Sequence, residues 1–134
     1  MTRFLLPLNE AIGMVLDNLK YSKQGDIFIK KSKSCAVVDI ASTLLKIFKK
    51  KNKVTFIGKR HGEKIHEVLA TGNEIANSTN FKDYFVIKMD GRDLNYQDYF
   101  VSGSKKKYID DYSSDKANKI KSKDLLHFLR SVVK

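Results

Sequence analysis

The sequence predicts an α/β fold, a small sheet with flanking helices. Three observations lead there. Apolar residues recur at helical spacing in separate stretches, short β-branched runs bounded by glycine lie between them, and 134 residues suffice for a single core. With 42% hydrophobic and 10% aromatic residues, seven Gly and one Pro, the composition is that of a folded globular chain rather than a disordered or fibrous one.

From the N-terminus, Leu8, Ile12, Val15, Leu16 and Leu19 form a helical stripe ending near Gly25, with Pro7 at the start, where its missing N–H costs nothing. Asp26 to Lys30 is short, β-branched and preceded by glycine, which predicts a strand. Val38, Ala41, Leu45 and Phe48 give a second helix, closed by Lys49, Lys50 and Lys51, whose charges suit a helix C-terminus. A second strand is predicted over Lys53 to Gly58 and a third helix over Glu63 to Ala70. This alternation predicts parallel pairing through helical crossovers. Asp83 to Asp90 reads as a further strand. Residues 102–119 are rich in Ser, Lys and Asp and are expected to be mobile. Ser122 then caps a last helix with Leu125, Leu126, Leu129 and Val133 on one face. The expected division is a binding domain over 1–103, followed by a flexible loop and C-terminal helix over 104–134.

The chain carries 26 basic against 15 acidic side chains, a formal charge of +11. That charge admits nucleic acid, anionic lipid or a phosphorylated small molecule as partner. Only Arg3, Arg60, Arg92 and Arg130 are arginines; the other cations are lysines, which lack the bidentate fork of base-reading surfaces. Lysine in excess beside many Ile and Asn also matches the amino-acid drift of an AT-rich genome. A lone Cys35 excludes an intrachain disulfide and a four-thiolate zinc site, and fits a reducing compartment. No apolar run reaches the roughly 20 residues of a membrane span. The apolar part of the N-terminus is too short for a secretory signal, so a cytoplasmic location is expected.

Few motifs carry chemistry. No glycine-rich dinucleotide fingerprint, Walker pattern or His-Glu-x-x-His is present, and His61, His66 and His127 are too separated for a metal set. Tyr-x-x-x-Lys occurs as Tyr84 with Lys88 and as Tyr112 with Lys116, the first in a predicted strand and the second in a predicted loop, where residues four apart do not converge. The informative stretch is Ile57-Gly-Lys-Arg-His-Gly-Glu-Lys64. Its Arg60 fork could hold a phosphate while Glu63 accepts hydrogen bonds from sugar hydroxyls; equally, it could be a surface turn across which the two side chains pair.

The runs Met1-Thr-Arg-Phe4, Gly25-Asp-Ile-Phe28, Gly58-x-Arg-His-Gly-Glu-Lys-x-x-Glu67, Asp83-Tyr84 and Arg92-Asp-Leu-Asn-Tyr96 together resemble, in order and spacing, a known family. It is the C-terminal part of the CapD-type capsular polysaccharide UDP-N-acetylglucosamine 4,6-dehydratase/5-epimerases, members of the extended short-chain dehydrogenase superfamily. The likeness runs over nearly the whole chain, although Tyr112 to Ala117 departs from the family's pattern. The resemblance implies the substrate-binding part of such an enzyme without its Rossmann domain. It places Arg3 and Arg60 near the diphosphate of a UDP-sugar and Glu63 at the ribose hydroxyls; Lys64 could add charge. Arg92 to Tyr96 is implied to pack near the substrate region or a neighbouring subunit. No catalytic, cofactor-binding or metal residue is expected in this chain, and NAD or NADP belongs to the missing N-terminal half.

The resemblance thus implies a UDP-sugar-binding fragment of a capsule or lipopolysaccharide enzyme, inactive alone. Its expected partners are a separate Rossmann-domain half or a family homo-oligomer, with no membrane, and an apolar face is expected to be exposed at Phe4 to Leu6 and along the first helix. One alternative is a scaffolding module that has lost its ligand. Another is a small basic nucleic-acid-binding protein, suggested by the lysine runs at 49–53 and 105–107 but lacking any helix-turn-helix, RNA-recognition or KH signature.

Overall fold

A computed structural model describes residues 1–89 and 109–133. The elements run β1 (Thr2–Phe4), α1 (Leu8–Tyr21), β2 (Ile27–Lys30), β3 (Ser34–Ala36), α2 (Val37–Ile47), β4 (Val68–Ala70), α3 (Gly72–Ala76), β5 (Ser78–Phe81), β6 (Tyr84–Ile87), β7 (Tyr112–Ser113) and α4 (Ser122–Val132). The fold is mixed α/β, with small sheets and flanking helices. It divides into two compact units, one built from Met1–Ile12, Ser32–Val68 and the chain from Ser113 onward, the other from Gly13–Lys31 and the chain from Leu69 to Tyr112.

In the first unit β1 pairs antiparallel with β3, setting Arg3 opposite Cys35. Ser34 donates its N–H to Asn118 and accepts at its carbonyl from Ile120, which ties β3 to the approach of α4. The core is Cys35, Leu125 and Leu129, with Leu5, Ile40, Leu44, Ile47, Ile120 and Phe128 packed around it. Leu125 and Leu129 are four apart on α4, so both fall on the face that meets α2. Burial in this cluster pushes the Cys35 thiol up, which keeps it protonated and unreactive. Helix α2 ends in a Schellman motif: Lys50 N–H bonds Leu45 O at 2.9 Å and Lys49 N–H bonds Lys46 O at 3.3 Å, with Lys49 at φ 52°.

The second unit holds a three-stranded sheet in the order β2-β6-β5, antiparallel throughout. Tyr84 and Val86 are its buried centre. The Tyr84 hydroxyl donates to Asp17 of α1 at 2.8 Å, and the Tyr21 ring stands 5.3 Å from that of Phe81, so α1 lies against this sheet through its polar side. Gly25 follows α1 at φ 82°, and a Cβ there would collide with the Met89 side chain, so only glycine makes the turn into β2. Asp26 accepts from Lys88 Nζ at 2.8 Å and from the Lys23 N–H at 3.0 Å, an arrangement that holds its carboxyl below the usual carboxylate range. Helix α3 opens with a capping box between Thr71 and Glu74.

Several expectations from the sequence are corrected. The β1–β3, β2–β6 and β5–β6 pairs are antiparallel and not parallel; a single bridge between Ser34 and Lys119 runs parallel. The predicted strand over Lys53 to Gly58 has no ladder, because no described strand lies beside it. The predicted helix over Glu63 to Ala70 is a turn followed by β4: the Ile65 carbonyl accepts from Thr2 and the Glu67 backbone bonds Ser114, so long-range partners replace the helical ladder. Ser122 is the first helical residue rather than the cap; Lys121 stands at the cap position and makes no side-chain capping bond. Residues 109–119, expected to be mobile, contain β7, buried Ser113 and Ser114, and a turn closed by Ala117 N–H on Ser113 O. The proposed boundary at 103/104, residues 102–108 and the Arg92 to Tyr96 run lie outside the described residues.

Truncating Leu125, only 2% exposed, to Ala should cost about 2–5 kcal/mol in denaturant unfolding, whereas Leu16→Ala on the exposed side of α1 should stay within about 0.5 kcal/mol. The left-handed Lys49 gives a second expectation. Lys49→Gly relieves about 1–2 kcal/mol of backbone strain, partly offset by the entropy of glycine, so the melting temperature should rise; a fall would show that the Lys49 side chain contributes more than its backbone costs.

Candidate functional site

The candidate site is assembled from β1, the turn 58–63 and the segments at 64–67 and 113–115, all within the first unit. Gly58 and Gly62 adopt φ values of 79° and 76°, which bends the chain twice within five residues. Between them the turn closes on itself: Glu63 N–H donates to Arg60 O at 3.1 Å, and Glu63 Oε2 accepts the Arg60 N–H at 3.1 Å. The reciprocal pair resembles a capping box in its economy, since one residue satisfies its partner's donor and acceptor together. It joins Glu63 to the backbone of Arg60, not to its guanidinium, which is exposed and has no hydrogen-bond or ion-pair partner among the described residues.

Arg3 is differently placed. Its Nη1 donates to Thr2 O at 2.7 Å and Ile65 O at 3.3 Å, its Nη2 to Lys64 O at 3.0 Å, and its Nε lies 3.4 Å from Glu67 Oε1. Three of those contacts are hydrogen bonds to backbone carbonyls and the fourth is an ion pair, so most of the guanidinium is engaged within the chain. Glu67 Oε2 also accepts the Phe4 N–H at 3.3 Å. The arginine therefore pins the segment that follows the Arg60 turn to the edge of β1.

Beside this lies a small polar knot with a buried centre at Thr2 and Ser114. Thr2 Oγ1 is 2.8 Å from His66 Nδ1 and 2.6 Å from Ser114 Oγ, while Ser114 Oγ accepts the Glu67 N–H at 2.9 Å. Ser114 N–H returns a bond to Glu67 O at 2.8 Å, and Thr2 N–H bonds Ile65 O at 3.0 Å. Beside it, the Ser113 hydroxyl holds the Asp115 carboxyl below the usual range, with His66 adding a weaker attraction. The Thr2–Ser114 bond is buried, so it is made away from competing water and is costly to lose, whereas the bonds to His66 and Glu67 are only part-buried.

The structure thus brings Arg60 and Glu63 into one turn and fastens Arg3 to the two residues that follow them. Lys59 and Lys64 add exposed positive charge on either side. An exposed guanidinium fork beside a carboxylate can bind an oxyanion and orient a hydroxyl next to it. Sequence reasoning missed the roles of Thr2, His66, Glu67 and Ser114. Thr2 and Glu67 stand inside runs already singled out, but nothing in the order of residues announces that Ser114 meets them.

Other candidates resolve into structural parts. Tyr84 and Lys88 are engaged by different aspartates, Asp17 and Asp26. Tyr112 packs edge-on against Phe85 at 5.2 Å between centroids, and burial pushes its phenol up. Among the described residues no group of three or more His, Cys, Asp or Glu could hold a metal ion, and no helix is long and apolar enough to cross a membrane.

Known proteins share this arrangement of chain. The family described as "Polysaccharide biosynthesis protein" matches residues 1–89. Proteins named UDP-glucose 4-epimerase from Rickettsia canadensis (strain McKiel) and Rickettsia prowazekii (strain Madrid E) are each 42% identical over 130 residues, covering 96% of this chain. The chain spans 38% of their length. A structure described as the X-ray structure of Pen from Bacillus thuringiensis superposes over 99% of this chain and 38% of its own, with a TM-score of 0.77 at 27% identity. A family match over residues 1–89, a fold shared over 99% of the chain and 42% identity to curated relatives agree: this chain belongs to the polysaccharide biosynthesis protein family.

Proposed function

We propose that this chain is the UDP-sugar-binding C-terminal portion of a nucleotide-sugar epimerase or dehydratase of surface-polysaccharide synthesis. The observation that carries the reading is the Arg60 turn, where a self-closed loop presents to solvent, next to Glu63, a guanidinium without a partner among the described residues. In this reading Arg60 takes the diphosphate bidentately, Glu63 accepts from the ribose hydroxyls through its second carboxylate oxygen, and Arg3 adds fixed positive charge. The names of the relatives favour 4-epimerisation of a UDP-hexose, and the motif resemblance favours 4,6-dehydration of UDP-N-acetylglucosamine. Both need the same nucleotide handle, and it is the handle that these residues fit.

The described residues do not fit a nicotinamide dinucleotide. Such a site needs a parallel strand leading through a glycine turn into a helix N-terminus. Here the β1–β3, β2–β6 and β5–β6 pairs are antiparallel, and the Gly58 and Gly62 turn leads into Lys64–Glu67 and β4 instead of a helix. We therefore derive no chemical step on this chain and assign NAD or NADP to the remaining part of the enzyme.

Two measurements test the reading. Purified free of host enzymes, the chain should turn over no UDP-sugar with either nicotinamide cofactor; turnover would overturn it. In calorimetry with UDP, Arg60→Ala should lose about 1.5–3 kcal/mol of binding with an unchanged melting temperature, because the side chain supports nothing else. Arg3→Ala should weaken binding and also lower the melting temperature, because its four contacts hold the loop. UDP binding indifferent to both substitutions would remove the site assignment. A chain that binds no UDP but binds DNA and RNA alike, with a steep salt dependence, would favour the basic nucleic-acid-binding alternative.

A further inference from the structure

The end of α2 and the chain that follows it enclose an apolar groove with a basic rim. Ala41, Leu44, Leu45 and Phe48 recur at steps of three and four, which places them on one face of the helix and its cap. The Schellman turn with left-handed Lys49 then bends the chain back, so that Lys50, Asn52, Lys53 and Val54 form the other wall. The groove between them has a volume of about 410 Å³. The core around Cys35, Leu125 and Leu129 takes Leu44 from this face but neither Leu45 nor Phe48. A few residues further on, Phe56 is exposed to 82% and Ile57 to 72%.

The charge around the groove has one sign. Between Asp39 and Glu63 the chain carries six lysines and Arg60 and no carboxylate. None of these lysines has an ion-pair or aromatic partner among the described residues. In the second unit, by contrast, Lys30, Lys31, Lys82 and Lys88 each lie over a ring or beside a carboxylate. Lys50 and Lys53 line the groove and are exposed, the setting in which a lysine lays its alkyl stem on apolar surface and keeps its ammonium in water.

Uncompensated positive charge around exposed aromatic and aliphatic side chains fits a partner that is anionic outside and apolar within. Nucleic acid matches the charge but not the aliphatic groove, and base-reading surfaces favour arginine, of which this stretch has only Arg60. A soluble anion would leave Phe56 and Ile57 in water. We propose that residues 41–57 form a contact surface for an anionic lipid bilayer, with Phe48, Phe56 and Ile57 entering the headgroup boundary and the lysines facing acidic headgroups. This departs from the expectation of no membrane partner: no described helix is long and apolar enough to cross a bilayer, but a contact within the interface needs no span. It goes beyond the nucleotide reading and does not rest on it.

The test mixes the 134-residue chain with vesicles of phosphatidylcholine containing about 30% phosphatidylglycerol, and with vesicles of phosphatidylcholine alone. The chain should sediment with the first and not the second, and added salt should release it. Each lysine at an anionic surface is worth about fivefold in partitioning, so Lys50→Gln with Lys53→Gln should lower it about 25-fold. Phe56→Ser should lower it about tenfold, and neither variant should move the melting temperature, because these side chains are exposed. An environment-sensitive fluorophore on Phe56→Cys should shift to the blue with the mixed vesicles; on Leu16→Cys, in the exposed stripe of α1 beside acidic Asp17, it should not. Buried Cys35 leaves little background. In a chimera of the intact Rickettsia prowazekii relative carrying residues 1–134 in place of its matched segment, the Phe56→Cys label should respond in the same way. The proposal is overturned by equal binding to both vesicles, or by a response at Leu16 in place of Phe56. It is equally overturned if the label in the chimera is already blue without vesicles, since the enzyme's own chain then covers the surface. Binding of duplex DNA more tightly than mixed vesicles at the same salt would hand the surface to nucleic acid and overturn it too.

Discussion

The hydrogen bond between the hydroxyls of Thr2 and Ser114 is the constraint on which the candidate site depends. At 2.6 Å and out of water, it joins residues 112 positions apart, and Glu67 is bonded to the same Ser114 through both backbone N–H and carbonyl. Three distant pieces of chain thereby meet at one buried point. Everything above it follows: with Glu67 fixed, Arg3 finds its ion-pair partner, and with Lys64 and Ile65 held by Arg3 the exposed turn at Arg60 has an anchored base. Buried hydroxyls carry little apolar driving force of their own, so specificity of geometry, rather than bulk burial, organises this part of the molecule.

That division of labour explains what the sequence could and could not reveal. Helices α1, α2 and α4 and strands β2 and β6 were legible because each repeats a local pattern, a stripe at helical spacing or a short β-branched run. Strands β1, β3, β4 and β7 are two or three residues long and exist only through their partners, so no local pattern marks them. The same limit explains the two misread segments. Ile65 and Leu69 lie four apart as they would on a helix, but the backbone between them is claimed by Thr2 and Ser114. Val54, Phe56 and Ile57 have the composition of a strand and lack a partner. For the site, the residues with visible chemistry, Arg3, Arg60 and Glu63, stood in recognisable runs, whereas the hydroxyls that position them carried no signal because Ser and Thr are common everywhere.

Charge plays a smaller part than the composition suggests. Much of the lysine excess is spent locally: Lys82 sits 4.1 Å above the Tyr21 ring, Lys31 4.7 Å above Phe85 and Lys30 5.1 Å above Tyr84. Lys88 is bound to Asp26, and the Lys49 backbone turns the end of α2. Neighbouring Lys20 and Lys82 hold the Tyr21 phenol below its usual range, a sign that these ammonium groups act on adjacent rings as well as on solvent. These lysines lie over aromatic faces, beside a carboxylate or at a helix end, which is how part of a lysine-rich composition is accommodated without one dominant anionic partner.

The two arginines of the site differ in what the fold demands of them. Arg3 is committed to four contacts within its own chain, and Arg60, among the described residues, to none through its guanidinium. In a gene copy released from selection for binding, purifying pressure on folding would still retain Arg3, while Arg60 could drift at once. If Arg60 holds the ligand as proposed, its state across descendants of this chain would mark retained ligand chemistry, whereas persistence of Arg3 would follow from folding alone.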